Sequence, residues 1–109
     1  MSHIFGTLTG VCINTMTELT PIMEHIVNDL NLHEVGRSFY QFEPVGVTGV
    51  IILSESHFSV HTYPEDENIY LDIFCCSKDF SPDNAAKIIQ ERFNAENFKW
   101  SYVNRFTNT

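Results

Sequence analysis

The stretch from residue 53 to residue 65 is dense in groups that can move protons or attack carbonyl carbons. Its thirteen residues include three serines, two histidines and two glutamates, and it follows a continuous apolar run. A serine hydroxyl attacks a carbonyl only when a base accepts its proton and nearby donors polarise that carbonyl. Imidazole exchanges its proton near neutral pH. The stretch therefore holds the components that serine-based acyl chemistry needs.

Two histidines of this stretch, His57 and His61, have the i, i+4 spacing that binds a metal ion on a helix. The β-branched and aromatic residues around them predict a strand instead. Four residues of strand span about 13 Å at ~3.3 Å each, too far for one ion. No third ligand lies at zinc spacing, and Cys75-Cys76 is not a Cys-x-x-Cys pair. We expect no metal site, and each histidine, taken alone, has the alternative role of a hydrogen-bonded strand residue.

The chain that must position these groups is short. Its 109 residues are 43% hydrophobic, which suits one domain, residues 1–109, that buries about 65% of its unfolded surface. A pocket carved out of so modest a core removes much of its packing. We therefore expect a homo-oligomer in which a second copy supplies walls of the active site.

Charge, cysteine content and hydropathy exclude several classes of protein. The net charge is -8 and the six Lys and Arg residues are scattered, so no basic stripe exists for nucleic acid. Three cysteines, two of them adjacent, suit an intracellular protein with free thiols. The N-terminal residues lack the features of a secretory signal, and no run of about 18 apolar residues predicts a membrane span. We expect a soluble, cytoplasmic protein.

The chain alternates predicted strands with two helices. Thr20-Pro21 and Ser81-Pro82 are each typical of a helix N-cap followed by proline at the first position, and the first helix should end near Asn31. Period-two and β-branched patterns predict strands at residues 4–13, 33–42, 45–53, 57–63, 69–75 and 98–103, with a possible bulge at Gly49. Runs of strands with only two helices predict an α+β two-layer sandwich, mainly antiparallel, with both helices packed on one face.

The stretch from residue 53 to residue 65 resembles, nearly residue for residue, the self-cleavage motif of the short prokaryotic S-adenosylmethionine decarboxylases, and the resemblance to that family extends from about residue 40 to residue 76. Members of that family are proenzymes that make their own pyruvoyl cofactor from an internal serine. The triplet Glu55-Ser56-His57 resembles the family's self-cleavage motif. The flanks agree with the family only in the order and length of their predicted elements.

The resemblance implies an autocatalytic cleavage between Glu55 and Ser56. Ser56 Oγ would attack the Glu55 carbonyl, convert the amide to an ester and leave by β-elimination, and the resulting dehydroalanine would hydrolyse to the pyruvoyl group. The products would be the chains 1–55 and 56–109, and the expected oligomer a dimer of such cleaved protomers.

Three further positions are similar to residues that act in processing or catalysis in that family. His61 matches the histidine that handles protons during self-cleavage, and Cys76 matches the cysteine that reprotonates the substrate carbon. Thr48 stands where the family more often has a serine that assists processing; an ordinary strand threonine is the alternative. Cys75 and Cys12 are expected to be small packed residues.

Two positions resemble the family's substrate-binding residues. Phe42 matches the phenylalanine that stacks on the substrate adenine, with core packing as the alternative. Glu65 matches the carboxylate that accepts hydrogen bonds from the ribose hydroxyls, and acceptor-only chemistry suits a diol. Tyr63 replaces the tryptophan that commonly precedes this Pro-Glu pair, which keeps an aromatic surface.

The resemblance thus implies a lyase of polyamine biosynthesis. The substrate amine would form a Schiff base with the pyruvoyl group, which acts as the electron sink, so no external organic cofactor is needed. The product would be decarboxylated S-adenosylmethionine, the aminopropyl donor for spermidine synthesis. Two alternatives stay open: the same pyruvoyl chemistry on a basic amino acid, ornithine or arginine, and an uncleaved, non-enzymatic homologue.

Overall fold

The computed structural model describes residues 2–54, 56–76 and 79–105. Within these ranges the chain forms the following elements in order: β1 (Ser2–Thr9), α1 (Met16–Asp29), β2 (Glu34–Gln41), β3 (Val47–Leu53), β4 (Ser56–Tyr63), a 3₁₀ turn (Pro64–Asp66), β5 (Asn68–Cys75), α2 (Pro82–Phe93) and β6 (Asn97–Asn104). No helix among the described residues has the length and apolar character needed to cross a bilayer.

The strands form one sheet in the order β2-β3-β4-β5-β1-β6, and every neighbouring pair is antiparallel. Helix α1 contacts β2 and β3, α2 contacts β1 and β6, and the two helices contact each other. Both helices therefore cover one face of the sheet. The predicted α+β two-layer sandwich is confirmed.

Alternation along the strands divides the sheet into two unlike faces. The helix-covered face carries the buried strand residues of the core: Ile4, Leu8, Val47, Ile51, Phe58, Val60, Ile69, Leu71 and Ile73. The opposite face, called here the open face, carries exposed large side chains: Phe5, Tyr40, Ile52, Tyr63, Tyr70 and Val103. Two candidate site residues, Thr48 and His61, belong to this open face.

Helix α1 begins five residues earlier than predicted, at Met16 instead of Pro21. Thr15 is the N-cap: its hydroxyl accepts from the Glu18 N–H at 3.2 Å, and the Glu18 carboxylate accepts from the Thr15 N–H at 3.1 Å. This reciprocal capping box outweighs the cap predicted at Thr20. Pro21 lies inside the helix, where it lacks only one backbone donor.

Helix α2 begins as predicted, with Ser81 as N-cap accepting from the Asn84 N–H and with Pro82 at the first helical position. The bulge predicted at Gly49 is wrong, since the register shift lies between Glu34 and Gly36. Gly49 instead gives room to a ring: a Cβ there would lie 2.6 Å from Phe39 Cε2. Close packing against Phe39 therefore explains why position 49 is a glycine.

Strand β1 ends at Thr9, four residues before its predicted end, because Gly10 turns the chain with φ +75°. Cys12 therefore lies beyond the strand and is exposed, so its predicted packed role is wrong. Cys75 is 1% exposed, as predicted for a packed thiol.

Candidate active site

Strand β4 carries the predicted nucleophile at one end and the predicted base near the other. Ser56 is its first residue, and His61 is five residues further along. Five residues of strand span about 16 Å, and an odd separation gives the two side chains opposite faces of the sheet. Within one chain the structure therefore does not bring Ser56 and His61 together.

At the far end of β4, His61 is bonded to Thr48. The two residues face each other in the register of β3 and β4, and Thr48 Oγ1 lies 2.8 Å from His61 Nδ1. A hydrogen bond to one ring nitrogen fixes the orientation of the imidazole. Thr48 thus keeps the ring-orienting contact that a serine hydroxyl provides.

A cleft of about 530 Å³ lies beside this pair. It is lined by Phe42, Val45, Gly46, Thr48, His61, Thr62, Tyr63 and Glu65. Four predicted site residues therefore meet in one place: the aromatic ring, the hydroxyl, the imidazole and the carboxylate. Phe42 is 48% exposed, so it is not a core residue, and the packing alternative for it is wrong.

The loop that carries Phe42 is held by Gln41. The Gln41 amide donates to the carbonyl oxygens of Asn14 and Gly46 at 3.0 Å each, and its oxygen accepts from the Met16 N–H at 2.8 Å. The Phe42 N–H donates to the Gly46 carbonyl at 2.8 Å, and Gly46 adopts φ +109°. Sequence reasoning missed this supporting role, because a strand glutamine gives no signal of which loop it will bind.

At the near end of β4, Ser56 contacts Cys76. The Cys76 N–H donates to Ser56 Oγ at 3.4 Å, and Ser56 Oγ lies 3.4 Å from the Ser54 carbonyl oxygen. The predicted nucleophile and the predicted proton donor are therefore neighbours. Glu55, the predicted partner in cleavage, lies outside the described residues.

A third group of polar side chains lies on the open face between the two ends. The Nε2–H groups of His3 and His57 donate to the same oxygen of Asp72, Oδ2, at 2.8 and 3.0 Å, and Ser59 Oγ donates to Oδ1. Burial acts to raise the pKa of Asp72, but these hydrogen bonds outweigh it and hold that pKa below its usual value. His57 thus has the role of a hydrogen-bonded strand residue.

Sequence reasoning did not find this cluster. The available signal was Asp72, a charged residue inside an otherwise apolar strand. His3 and Ser59 gave no signal of their own, because their meeting with Asp72 depends on β1, β4 and β5 being adjacent in the sheet.

Comparison with known proteins gives a consistent result. A family model described as S-adenosylmethionine decarboxylase matches residues 2–106. A protein of Archaeoglobus fulgidus named S-adenosylmethionine decarboxylase proenzyme is 35% identical over 106 residues, covering 94% of this chain and 95% of the relative. A proenzyme of the same name from Thermoanaerobacter sp. is 32% identical and covers 96% of this chain and 84% of the relative.

The fold also matches a solved structure. The crystal structure of the adenosylmethionine decarboxylase from Aquifex aeolicus superposes with a TM-score of 0.83 at 28% sequence identity. The superposition covers 99% of this chain and 96% of the other.

Proposed function

The chain belongs to the S-adenosylmethionine decarboxylase family, and from that premise we propose that it cleaves itself before Ser56 and then decarboxylates S-adenosylmethionine. The match of residues 2–106 to this family carries the proposal. The site geometry supports it, since Ser56 contacts Cys76 at one end of β4, and His61, Thr48 and Glu65 share a cleft at the other.

In the proposed processing, the amide between Glu55 and Ser56 becomes an ester as Ser56 Oγ bonds to the Glu55 carbonyl carbon and the Ser56 nitrogen leaves it. Loss of the Ser56 α-proton then releases the Glu55 carboxylate and leaves a dehydroalanine. Water replaces its nitrogen, which departs as ammonia. The base that these proton transfers need is His61, whose imidazole is oriented by Thr48.

The contact between Ser56 and Cys76 has a place in this processing. The Cys76 N–H donates to Ser56 Oγ, the atom that becomes the ester oxygen and leaves with the Glu55 carboxylate, so a backbone donor is in place to stabilise that leaving group. The pyruvoyl group supplies the electron sink for loss of the substrate carboxylate. Cys76 then donates a proton from its thiol to the substrate carbon.

We propose that two copies of the chain complete each site. The distance of about 16 Å between Ser56 and His61 along one strand prevents proton transfer within a chain. A two-fold axis that sets two β4 strands in opposite directions places the Ser56 end of one beside the His61 end of the other, and generates two equal sites.

The substrate is bound in the cleft of His61 in this proposal. Phe42 offers a ring for the adenine to stack on, and Glu65 offers acceptor oxygens for the ribose hydroxyls. A stacking ring and a diol acceptor in one cleft favour a nucleoside substrate over ornithine or arginine, because these amino acids have neither a nucleobase nor a ribose diol. Tyr63 lines the same cleft and adds aromatic surface for the sulfonium cation.

Two measurements on the purified chain test the proposal. Denaturing intact-mass spectrometry should show fragments 1–55 and 56–109, the second lighter by one ammonia than hydrolysis predicts. The same sample should release labelled carbon dioxide from carboxyl-labelled S-adenosylmethionine and none from ornithine or arginine. An intact chain that releases no carbon dioxide overturns the proposal. A cleaved chain that releases carbon dioxide faster from ornithine or arginine overturns only the assignment of S-adenosylmethionine as the substrate.

A further inference from the structure

The cluster of His3, His57 and Asp72 has no part in the proposed reaction. Its members come from three adjacent strands, β1, β4 and β5. In the register of the sheet both histidines lie directly opposite Phe74, one on each side, and Asp72 lies two residues before Phe74 on β5. Regular pairing of the strands therefore aims all three side chains at one point on the open face.

The distances within this cluster are close to those of a metal site. The ligand atoms of the three residues all lie within 4.8 Å of one another, and Asp72 Oδ2 is 2.8 Å from His3 Nε2 and 3.0 Å from His57 Nε2. Ligand atoms around a tetrahedral zinc ion are about 3.3 Å apart, given bonds of ~2.0–2.1 Å. The two Asp72 distances are within about half an ångström of that value, and the ligand nitrogens of the two histidines lie within 4.8 Å of each other.

The surroundings of the cluster also resemble those of a metal site. Ser59 donates to Asp72 Oδ1, which holds the carboxylate with its other oxygen between the two imidazoles. Phe74 lies edge-on to His3, with ring centroids 5.7 Å apart, and 5.9 Å from the His57 ring. The side chains of His3, His57 and Asp72 are 23%, 41% and 27% exposed, so the site is sheltered yet accessible.

We propose that His3, His57 and Asp72 form a binding site for a divalent transition-metal ion, with Zn²⁺ as the best match to two imidazoles and one carboxylate. Three protein ligands leave a fourth position open to water. Binding takes place at Nε2 of each ring, so the proton that each Nε2 shares with Asp72 moves to Nδ1 or to solvent. Because His57 directly follows Ser56, a bound ion would link β1, β4 and β5 beside the proposed cleavage point.

The test is metal binding by the full-length chain, prepared with a chelator and then titrated with Zn²⁺ in competition with a chelating dye. We expect one ion per chain, binding at least tenfold weaker in His3→Gln and Asp72→Asn, and about tenfold weaker in Ser59→Ala, whose side chain only orients a ligand. His25→Gln, an exposed histidine on α1, is the matched control and should bind as the unchanged chain does.

Co²⁺ in place of Zn²⁺ separates this site from the cysteines. We expect d–d absorption of a nitrogen and oxygen site without a thiolate charge-transfer band. Metal is added to the folded protein and, in a parallel sample, during refolding, so that contacts between copies of the chain do not block access to the site. The proposal is overturned by absence of binding in both samples, by unchanged affinity in His3→Gln, or by a thiolate band.

Discussion

The two ends of β4, at Ser56 and at His61, carry different parts of the proposed site. At the Ser56 end, Ser56 Oγ contacts two backbone groups at 3.4 Å each: it accepts from the Cys76 N–H and donates to the Ser54 carbonyl oxygen. At the His61 end a side-chain hydrogen bond of 2.8 Å orients the imidazole beside a cleft of about 530 Å³. One end has the proposed nucleophile without the proposed base, and the other has the proposed base and the cleft without the nucleophile.

The comparison shows that the sheet of one chain holds Ser56 and His61 in defined positions without bringing them into contact. Strand pairing fixes both ends: Ser56 lies opposite Leu53 of β3, and His61 lies between Thr48 of β3 and Tyr70 of β5. A second copy in the opposite direction joins them in the proposed function. The following variants test the roles assigned to the two ends.

The largest effect is expected at the nucleophile. Ser56→Ala removes the hydroxyl that attacks the Glu55 carbonyl, so the chain should stay intact and decarboxylation should be lost completely. Intact-mass spectrometry and carbon dioxide release measure the two results. Ser54→Ala, which keeps the carbonyl that Ser56 contacts, is the matched control and should cleave. Decarboxylation by Ser56→Ala at any substantial rate contradicts the pyruvoyl model.

The second effect separates processing from turnover at the same end of β4. Cys76→Ala should cleave normally, because the Cys76 contact to Ser56 Oγ uses the backbone N–H. Loss of the proton donor should lower kcat by about 10² to 10⁴. Cys12→Ala, an exposed cysteine, should match the unchanged chain in both assays. Full turnover in Cys76→Ala would remove the thiol from the reaction.

The third effect belongs to the cleft at the other end. Glu65→Gln keeps the shape of the side chain but removes the charge, and hydrogen bonds to charged groups contribute about 1.5–3 kcal/mol. The exposure of Glu65 places the loss at the lower end of that range, so KM should rise about tenfold with cleavage unaffected. Glu67→Gln, an exposed carboxylate outside the cleft, is the control. An unchanged KM places Glu65 outside the substrate site.

The smallest effect concerns the residue that orients His61. Thr48→Ser keeps the hydroxyl and removes the methyl group that restricts rotation about χ1. We expect processing to speed up about two- to fivefold, a change of less than ~1 kcal/mol in the barrier. Thr48→Val, which keeps the shape without the hydroxyl, should slow it. Equal cleavage rates for Ser and Val at this position would show that the contact with His61 is not used.

Much of the fold followed from local patterns in the sequence. Alternation predicted β2 within a residue at each end, and Ser81-Pro82 placed the start of α2 correctly. The start of α1 was predicted wrongly because two cap signals competed, and the capping box of Thr15 gives more hydrogen bonds than the signal at Thr20. Local patterns thus predict that a helix or strand is present, but they do not decide between two possible starting residues.

The site was predicted through resemblance and only partly through spacing. The order of the strands decides that Thr48 meets His61 and that Asp72 meets two histidines, and strand order cannot be read from any one strand. The distance between Ser56 and His61, in contrast, follows from the strand prediction alone. Taken literally, that distance already indicates that one chain does not complete the site.

The most direct test of the two-copy site uses co-expression of two defective chains. Ser56→Ala lacks the nucleophile and His61→Ala lacks the base, so neither should cleave when expressed alone. In mixed dimers the His61→Ala chain receives an intact His61 from its partner, and with random pairing about half of it should be cut before Ser56. Intact-mass spectrometry of the differently tagged chains identifies which one is cut. The predicted result is that the His61→Ala chain is cleaved only when it is co-expressed with Ser56→Ala. The account is contradicted if both chains stay intact in the mixture while the unchanged protein cleaves, or if His61→Ala cleaves when expressed alone.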